Sequence, residues 1–281
     1  MNLRKLEENI FKAIMIAATA TIALVMVYIL YTITSKGLPY LSWNIISQLP
    51  GSGFYIGKDG GILNAIVGSV YITIGATLVG LFISIPVVLY LNIYLKQESW
   101  LGGAVRLASD ILFGIPSIVY GAFGFLLMVT LGLKTSLLAG IITVGFLITP
   151  ILIRTMDEVM RTVPQELSDA AYALGATRWE AAKILLKQSS AGVVTAVLLS
   201  FGRAIGDAAS VLFTAGYTDS IPTNIDQPAA TLPLAIFFQL GSPIEEVQGR
   251  AYAAAVVLTA IVLVISISAK LLNKRLSKHK I

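Results

Sequence analysis

Apolar runs long enough to cross a lipid bilayer dominate this sequence and leave it few alternatives. A transmembrane helix needs about 20 mostly apolar residues. Six windows qualify, at roughly 11–34, 64–95, 107–132, 135–156, 190–216 and 250–272, the last four with softer edges because they carry Gly, Pro or charge. With 56% hydrophobic and only 12% charged residues, a soluble core could not hide this much apolar surface. The expectation is an all-α, polytopic membrane protein with six transmembrane helices.

The placement of charge sets the orientation. Arg4, Lys5 and Lys12 precede the first window, and Lys96 and Arg106 lie between the second and third. Arg154, Arg161, Arg178, Lys183 and Lys187 fill the fourth-to-fifth connection, and Lys270, Lys274, Arg275, Lys278 and Lys280 crowd the C-terminal tail. The opposite side carries Lys36, Lys58, Lys134 and Arg250. The positive-inside bias puts both termini and the fourth-to-fifth connection in the cytoplasm of a multi-pass cell-membrane protein. The basic tail suits topology and anionic lipid better than nucleic acid.

Residues 1–34 imitate a signal peptide, with a basic start and Ala18-Thr19-Ala20, but the apolar run continues to Ile33. That is too long for a cleaved segment and reads as a retained anchor. Residues 1–63 thus form an anchor span and outward loop, 64–272 a transmembrane domain and 273–281 a basic cytoplasmic tail.

The absence of cysteine excludes disulfides and thiolate chemistry. GSGFYIGKDG fails as a phosphate loop, because Ser52 stands at the first Gly position, Asp59 follows Lys58 and no strand precedes it. The second outward loop, about 217–248, is acidic and turn-rich. No nucleophile–base set or metal cluster is apparent, and the lone His279 sits in the tail, so the chain does not read as an enzyme.

Small residues recur at helical spacing: Ser69, Thr73, Gly80 and Ser84 in the second window, and Asp110, Gly114, Ser117 and Gly121 in the third. Close helix packing and the lining of a path both account for them. Pro86, Pro116 and Pro150 are expected to kink or end their helices.

Between the fourth and fifth windows lies a polar, helix-forming island, TVPQELSDAAYALGATRWEAAKILL, at 162–186. Thr162 with Gln165 fits a capping box, and Pro164 is tolerated in a first turn. Gly175 supplies a left-handed stop after Leu174, and Thr177 with Glu180 makes a second box. Ala170, Ala171 and Leu174 form a small apolar face suited to a groove on another protein.

In the fifth window, Ser200, Arg203, Asp207, Ser210 and Thr214 are spaced 3, 4, 3, 4 and would form one polar helical stripe. An Arg within the membrane costs about 2.5–3.5 kcal/mol or more and should face a partner or water. Asp207, four residues on, is placed to neutralise it. Two readings stand: an ion pair that fixes helix packing, or an anion site. In the second, Arg203 attracts a phosphate-like oxyanion and Asp207 accepts the proton that phosphate, unlike sulfate, still carries. Gly202 and Gly206 make a GxxxG packing step on an adjoining face.

Asp169-Ala170-Ala171-x-x-x-Gly175 resembles the EAA loop of permease subunits in type I, binding-protein-dependent ABC importers, with Asp in place of the usual Glu. GRAIGDAASVLFTAG is similar to the GRAIGET-type segment of phosphate permeases. LFGIPSIVYG, GILNAIVGSVYIT and the block ITPILIRTMDEVMRTVPQELSDAAYALGATRWEAA resemble the PstA family specifically, over most of the chain from about Gly60.

The resemblance implies the type I ABC importer permease fold and a phosphate-importing function. It makes Asp169, Ala170, Ala171, Leu174 and Gly175 the ATPase-coupling turn. Arg203, Asp207, Ser210, Thr214, Ser200 and Ser117 then belong to the substrate path. It also implies two copies of a cytoplasmic ATPase that uses the ATP, a second, PstC-like permease, and an extracytoplasmic phosphate-binding protein. No cofactor would be bound by this chain. Another oxyanion, such as molybdate or sulfate, is the near alternative. A membrane scaffold using the island only as an interaction site is the distant one.

Overall fold

The computed structural model describes residues 3–51, 59–95 and 99–277. Ser52 and Lys58 of the rejected phosphate loop lie outside the described residues, as do Lys96, Lys278, His279 and Lys280. The elements run α1 (Leu3–Gly37), α2 (Trp43–Ser47), α3 (Leu63–Leu89), α4 (Trp100–Gly114), α5 (Ser117–Thr130), α6 (Leu137–Arg161), α7 (Gln165–Ala173), α8 (Arg178–Ile205), α9 (Leu232–Leu240) and α10 (Glu245–Ser277). A π-turn, Tyr90–Tyr94, continues α3. Among the described residues the β-pairing is limited to one bridge, Pro50 to Gly60.

Five helices are long and apolar enough to cross a membrane. The sixth crossing is broken, because α4 and α5 meet at 97°. The break follows from Pro116, which disfavours helical backbone at the residue before it; Ile115 has ψ 130°. The span expected at 107–132 is therefore two helices, divided next to Pro116, where a kink or stop was expected.

Even so, the pair follows α6 from end to end. Arg106 meets Asp157 and Asp110 meets Arg154. Ile115 and Val119 share a groove with Thr149 and Pro150. Gly124 sits against Thr143, and Met128 and Leu131 share a groove with Ala139 and Ile142. Because α6 is one continuous helix of 25 residues, about 37 Å long, the pair is a single bent crossing rather than a re-entrant loop.

The centre of the bundle is α3 on α6, with α8 and α10 packed alongside. Ile72, Ala76, Ile148, Leu152 and Met156 are buried there, and Gly80 lies against Leu152 and Ile148. The small face of α3 is a packing face: Ser69 accepts a hydrogen bond from Leu232 N–H at 2.8 Å, and Ser84 donates to Thr149 O at 3.3 Å. Pro86 and Pro150 stay inside α3 and α6 and end neither helix, unlike Pro116. By contrast, the most apolar stretch of α1 has no buried residue. The helix leans on α10 where Gly37 approaches Tyr252.

The fifth helix is shorter than the 190–216 window implies. It ends at Ile205 with Gly206 as its cap, and the following residues fold back into the bundle. Ser136 N–H donates to Thr214 O at 3.0 Å and Ala229 N–H to Ala215 O at 2.9 Å. Val211, Ala215, Ala229, Ala230 and Leu232 are buried. The segment read as an outward loop is thus anchored deeply, although Asp219, Asp226, Glu245 and Glu246 remain exposed as an acidic outer rim.

Candidate functional site

The polar island forms the expected helix, glycine turn and helix, with two corrections. Thr162 caps the C-terminus of α6, donating from Oγ1 to Val159 O at 2.7 Å, so the box with Gln165 does not form. Pro164 takes the N-cap position of α7 instead, with extended ψ of 134°. The second box is complete: Thr177 N–H donates to Glu180 Oε2 at 2.7 Å, and Glu180 N–H to Thr177 Oγ1 at 3.3 Å. Gly175 has φ +83°, the left-handed conformation that stops α7.

The second correction concerns the apolar face. Ala171 is 7% exposed and Leu174 is 90% exposed. Since α7 packs on α8, Ala171 belongs to the internal contact and cannot also dock a partner. Leu174, with Asp169, Ala170 and Gly175 beside it, is what the chain presents outward. Behind α7 lies a cavity of about 390 Å³ lined by Asn92, Arg106, Arg161, Ser168, Asp169 and Tyr172, among others.

The expected stripe on the fifth helix is not one face. A stripe through residues 200–214 requires unbroken helix, and α8 stops at Ile205. Ser200, Asp207, Ser210 and Thr214 are buried inside the chain, while Arg203 is exposed in the last turn of α8. Asp207 turns inward, 5% exposed, and its Oδ2 accepts from Ser210 N–H at 2.9 Å and also from Ser210 Oγ. That is the work of a turn-capping carboxylate. Thr214 Oγ1 donates to Ser210 O at 3.0 Å and closes the same turn. The Ser200 hydroxyl is buried without a partner among the described residues.

Arg203 and Asp207 therefore form no ion pair. Arg203 instead lies at the negative end of the α8 dipole, where a cation is favoured. The GxxxG step beside it is uncovered rather than packed: a Cβ at Gly202 would meet nothing within 4 Å. Helix α5 reaches the same place from the other side, with Gly121 against Ala209 and Ser210. Half-buried Ser117 lies one turn earlier on that helix, and the space around Gly114 is open. The third-window face is thus split. Asp110 pairs with Arg154 at 3.3 Å, Gly121 packs, and Gly114 and Ser117 lead onto uncovered surface.

One polar cluster went unread in the sequence. Asp157 accepts from Arg106 Nε at 2.8 Å, Arg106 Nη2 at 3.2 Å and Asn92 Nδ2 at 2.8 Å. Its residues come from three elements, and Asp157 falls just past the apolar window ending at 156. The available signal was an acid continuing a strongly apolar helical run.

A helical bundle of five long apolar helices and one bent pair, carrying a capped polar insert, defines a multi-pass membrane protein. A family model described as binding-protein-dependent transport system inner membrane component matches residues 78–278, and the chain belongs to that family. The phosphate transport system permease protein PstA of Yersinia pestis is 34% identical over 255 residues, covering 90% of this chain and 85% of that protein. The probable phosphate transport system permease protein PstA of Methanocaldococcus jannaschii is 32% identical over 268 residues, covering 94% and 92%.

Among solved structures, a chain of the bacterial alginate ABC transporter aligns with TM-score 0.63 and 14% identity, over 99% of each chain. A chain of the inward-facing MetNI methionine ABC transporter aligns with TM-score 0.61 and 19% identity, over 76% of this chain and 95% of that one. The second pair of figures, like the first, establishes a shared fold.

Proposed function

We propose that this chain is a permease subunit of an ATP-driven phosphate importer. Relatives named as phosphate permeases align over nearly its whole length. The observation that carries the reading to a residue is Arg203, an exposed guanidinium at the end of a membrane helix with no carboxylate partner among the described residues. Its forked donors match phosphate oxygens. Asp207 is given a different role from the one its spacing suggested. It builds the turn beneath the site and takes no proton from substrate.

The centre of the bundle is filled with side chains, so the anion path runs along the outer face, beside the end of α8 and the segment after it that meets α5. A second permease chain covers that face from the other side. Both termini and α7 lie in the cytoplasm, in keeping with the basic residues there. Leu174 docks on a separate ATPase subunit, which binds and hydrolyses the ATP, and a phosphate-binding protein delivers substrate at the acidic outer rim. This chain holds no cofactor and makes or breaks no bond.

The test is uptake by the complete complex in proteoliposomes, with phosphate and sulfate compared. Arg203→Gln removes a charge-assisted contact of about 1.5–3 kcal/mol, so phosphate uptake should fall roughly 10- to 150-fold with assembly intact. Unchanged uptake would remove Arg203 from the path, and equal uptake of sulfate would replace phosphate with a broader oxyanion class.

A further inference from the structure

The cluster around Asp157 sits where three elements meet. Asp157 is 1% exposed and lies one turn before Arg161, the last residue of α6. Three residues, Thr162, Val163 and Pro164, then lead into α7. Arg106 belongs to α4, and Asn92 to the π-turn, where its Nδ2 also donates to Val88 O at 2.9 Å. On the side of this cluster facing α7, packing gives way to the cavity, which Asn92 and Arg106 share with Ser168 and Tyr172. A cavity thus lies between the insert and the rest of the bundle on that side, and the polar cluster is a hydrogen-bonded joint beside it.

From Arg106 the chain of contacts continues. Helix α4 leads through the bend at Ile115 into α5, and Gly121 of α5 rests on Ala209 and Ser210, in the segment that follows the end of α8. A buried ion pair is weak evidence for stability, since apolar residues of similar volume often serve as well. What a guanidinium fork on one carboxylate adds is direction: two parallel bonds fix the angle between α4 and α6.

We propose that Asp157 and Arg106 are positioning residues that make the broken span follow the cytoplasmic insert, so that movement of α7 reaches the Arg203 face. This rests on the importer reading above. Neither residue touches substrate or nucleotide. Their loss leaves ATP hydrolysis running while the path no longer responds.

The experiment uses the assembled complex in proteoliposomes, with ATP hydrolysis and phosphate uptake measured together. Asp157→Asn should keep hydrolysis responsive to the binding protein while the ATP consumed per phosphate rises about fivefold or more. The exchange Arg106→Asp with Asp157→Arg should bring that ratio back toward wild type. A wild-type ratio in Asp157→Asn overturns the proposal. If that variant does not assemble, Arg106→Lys decides: it keeps the charge and loses the fork, and it too must raise the ratio.

Because the chain has no cysteine, spin labels at Leu107→Cys on α4 and Ala173→Cys on α7 give a second readout. The distance between them should stay single and narrow with and without trapped ATP, and should broaden in Asp157→Asn. A distribution that stays narrow in the variant overturns the joint. Failure of the wild-type complex to take up phosphate would instead refute the importer reading and leave the label distances as the measure of the joint.

Discussion

Leu174 and Ala171 are three residues apart on the same short insert, and the structure assigns them opposite jobs. Leu174 is 90% exposed and Ala171 is 7% exposed. If Leu174 enters a groove on an ATPase, burying it contributes roughly 1.5–3 kcal/mol. Truncation to alanine should then remove about 1–2 kcal/mol, a 5- to 30-fold loss of affinity. In the free chain the same side chain touches little, so Leu174→Ala should leave stability within about 0.5 kcal/mol. Ala171→Leu should behave in reverse, overpacking the contact with α8 at a cost of about 1–3 kcal/mol. The assay is titration of labelled ATPase onto the permease in nanodiscs, with thermal unfolding of each permease variant alone. Affinity within about twofold of wild type for Leu174→Ala would refute docking through α7. An equal loss of thermal stability in both variants would refute the assignment of inside and outside.

Asp207→Asn should retain near-normal uptake, because an amide oxygen can still accept from Ser210 N–H, whereas Asp207→Ala should destabilise by about 1 kcal/mol; complete loss of uptake in the Asn variant would restore a charge-based role. Gly68→Ala should be severely destabilising in detergent melts, since the added Cβ would lie 2.0 Å from Ala230 O, beyond ordinary overpacking of about 1–3 kcal/mol. A normal melt would mean that the 229–231 segment is not seated on α3. Thr177→Ala breaks the capping box at a cost of about 0.5–2 kcal/mol. It should speed amide exchange in the first turn of α8 and leave exchange in α6 unchanged.

The class of fold was legible because hydropathy is a direct readout of bilayer physics: five of the six windows correspond to single long helices, the fifth of them cut short. What escaped were the places where a local backbone event overrides the apolar pattern. Hydropathy alone does not distinguish a straight span over 107–132 from a broken one; Pro116 does, and its expected kink or stop is the break at Ile115. Likewise, Gly206 ends α8 inside an apolar run, and with it goes the helical spacing that seemed to join Arg203 to Asp207. Thr162 could cap backward or forward on sequence grounds; Pro164, which disfavours helical backbone at Val163, decided for α6. The Asp157 cluster was out of reach for another reason: its three residues are separated by 14 and 51 positions, and only the packing of α4 against α6 brings them together.

Where the polar residues ended up also bears on how such a chain can move an anion. A path through the middle of this subunit would need its buried hydroxyls and carboxylates to be free. Yet Ser69, Ser84, Ser210, Thr214, Asp157 and Asp207 are engaged within the chain, only the Ser200 and Thr77 hydroxyls being buried without a partner among the described residues, and the space between α3 and α6 is filled by Ile72, Ile148 and Leu152. Arg203 differs from all of these in being charged, exposed and without a carboxylate. A lone cation at a membrane helix end is costly when it faces lipid. It is tolerable when it faces water, an anion or another chain. The open glycines Gly202 and Gly114 leave room for all three, and on the proposed reading this surface is half of a path that a second chain closes.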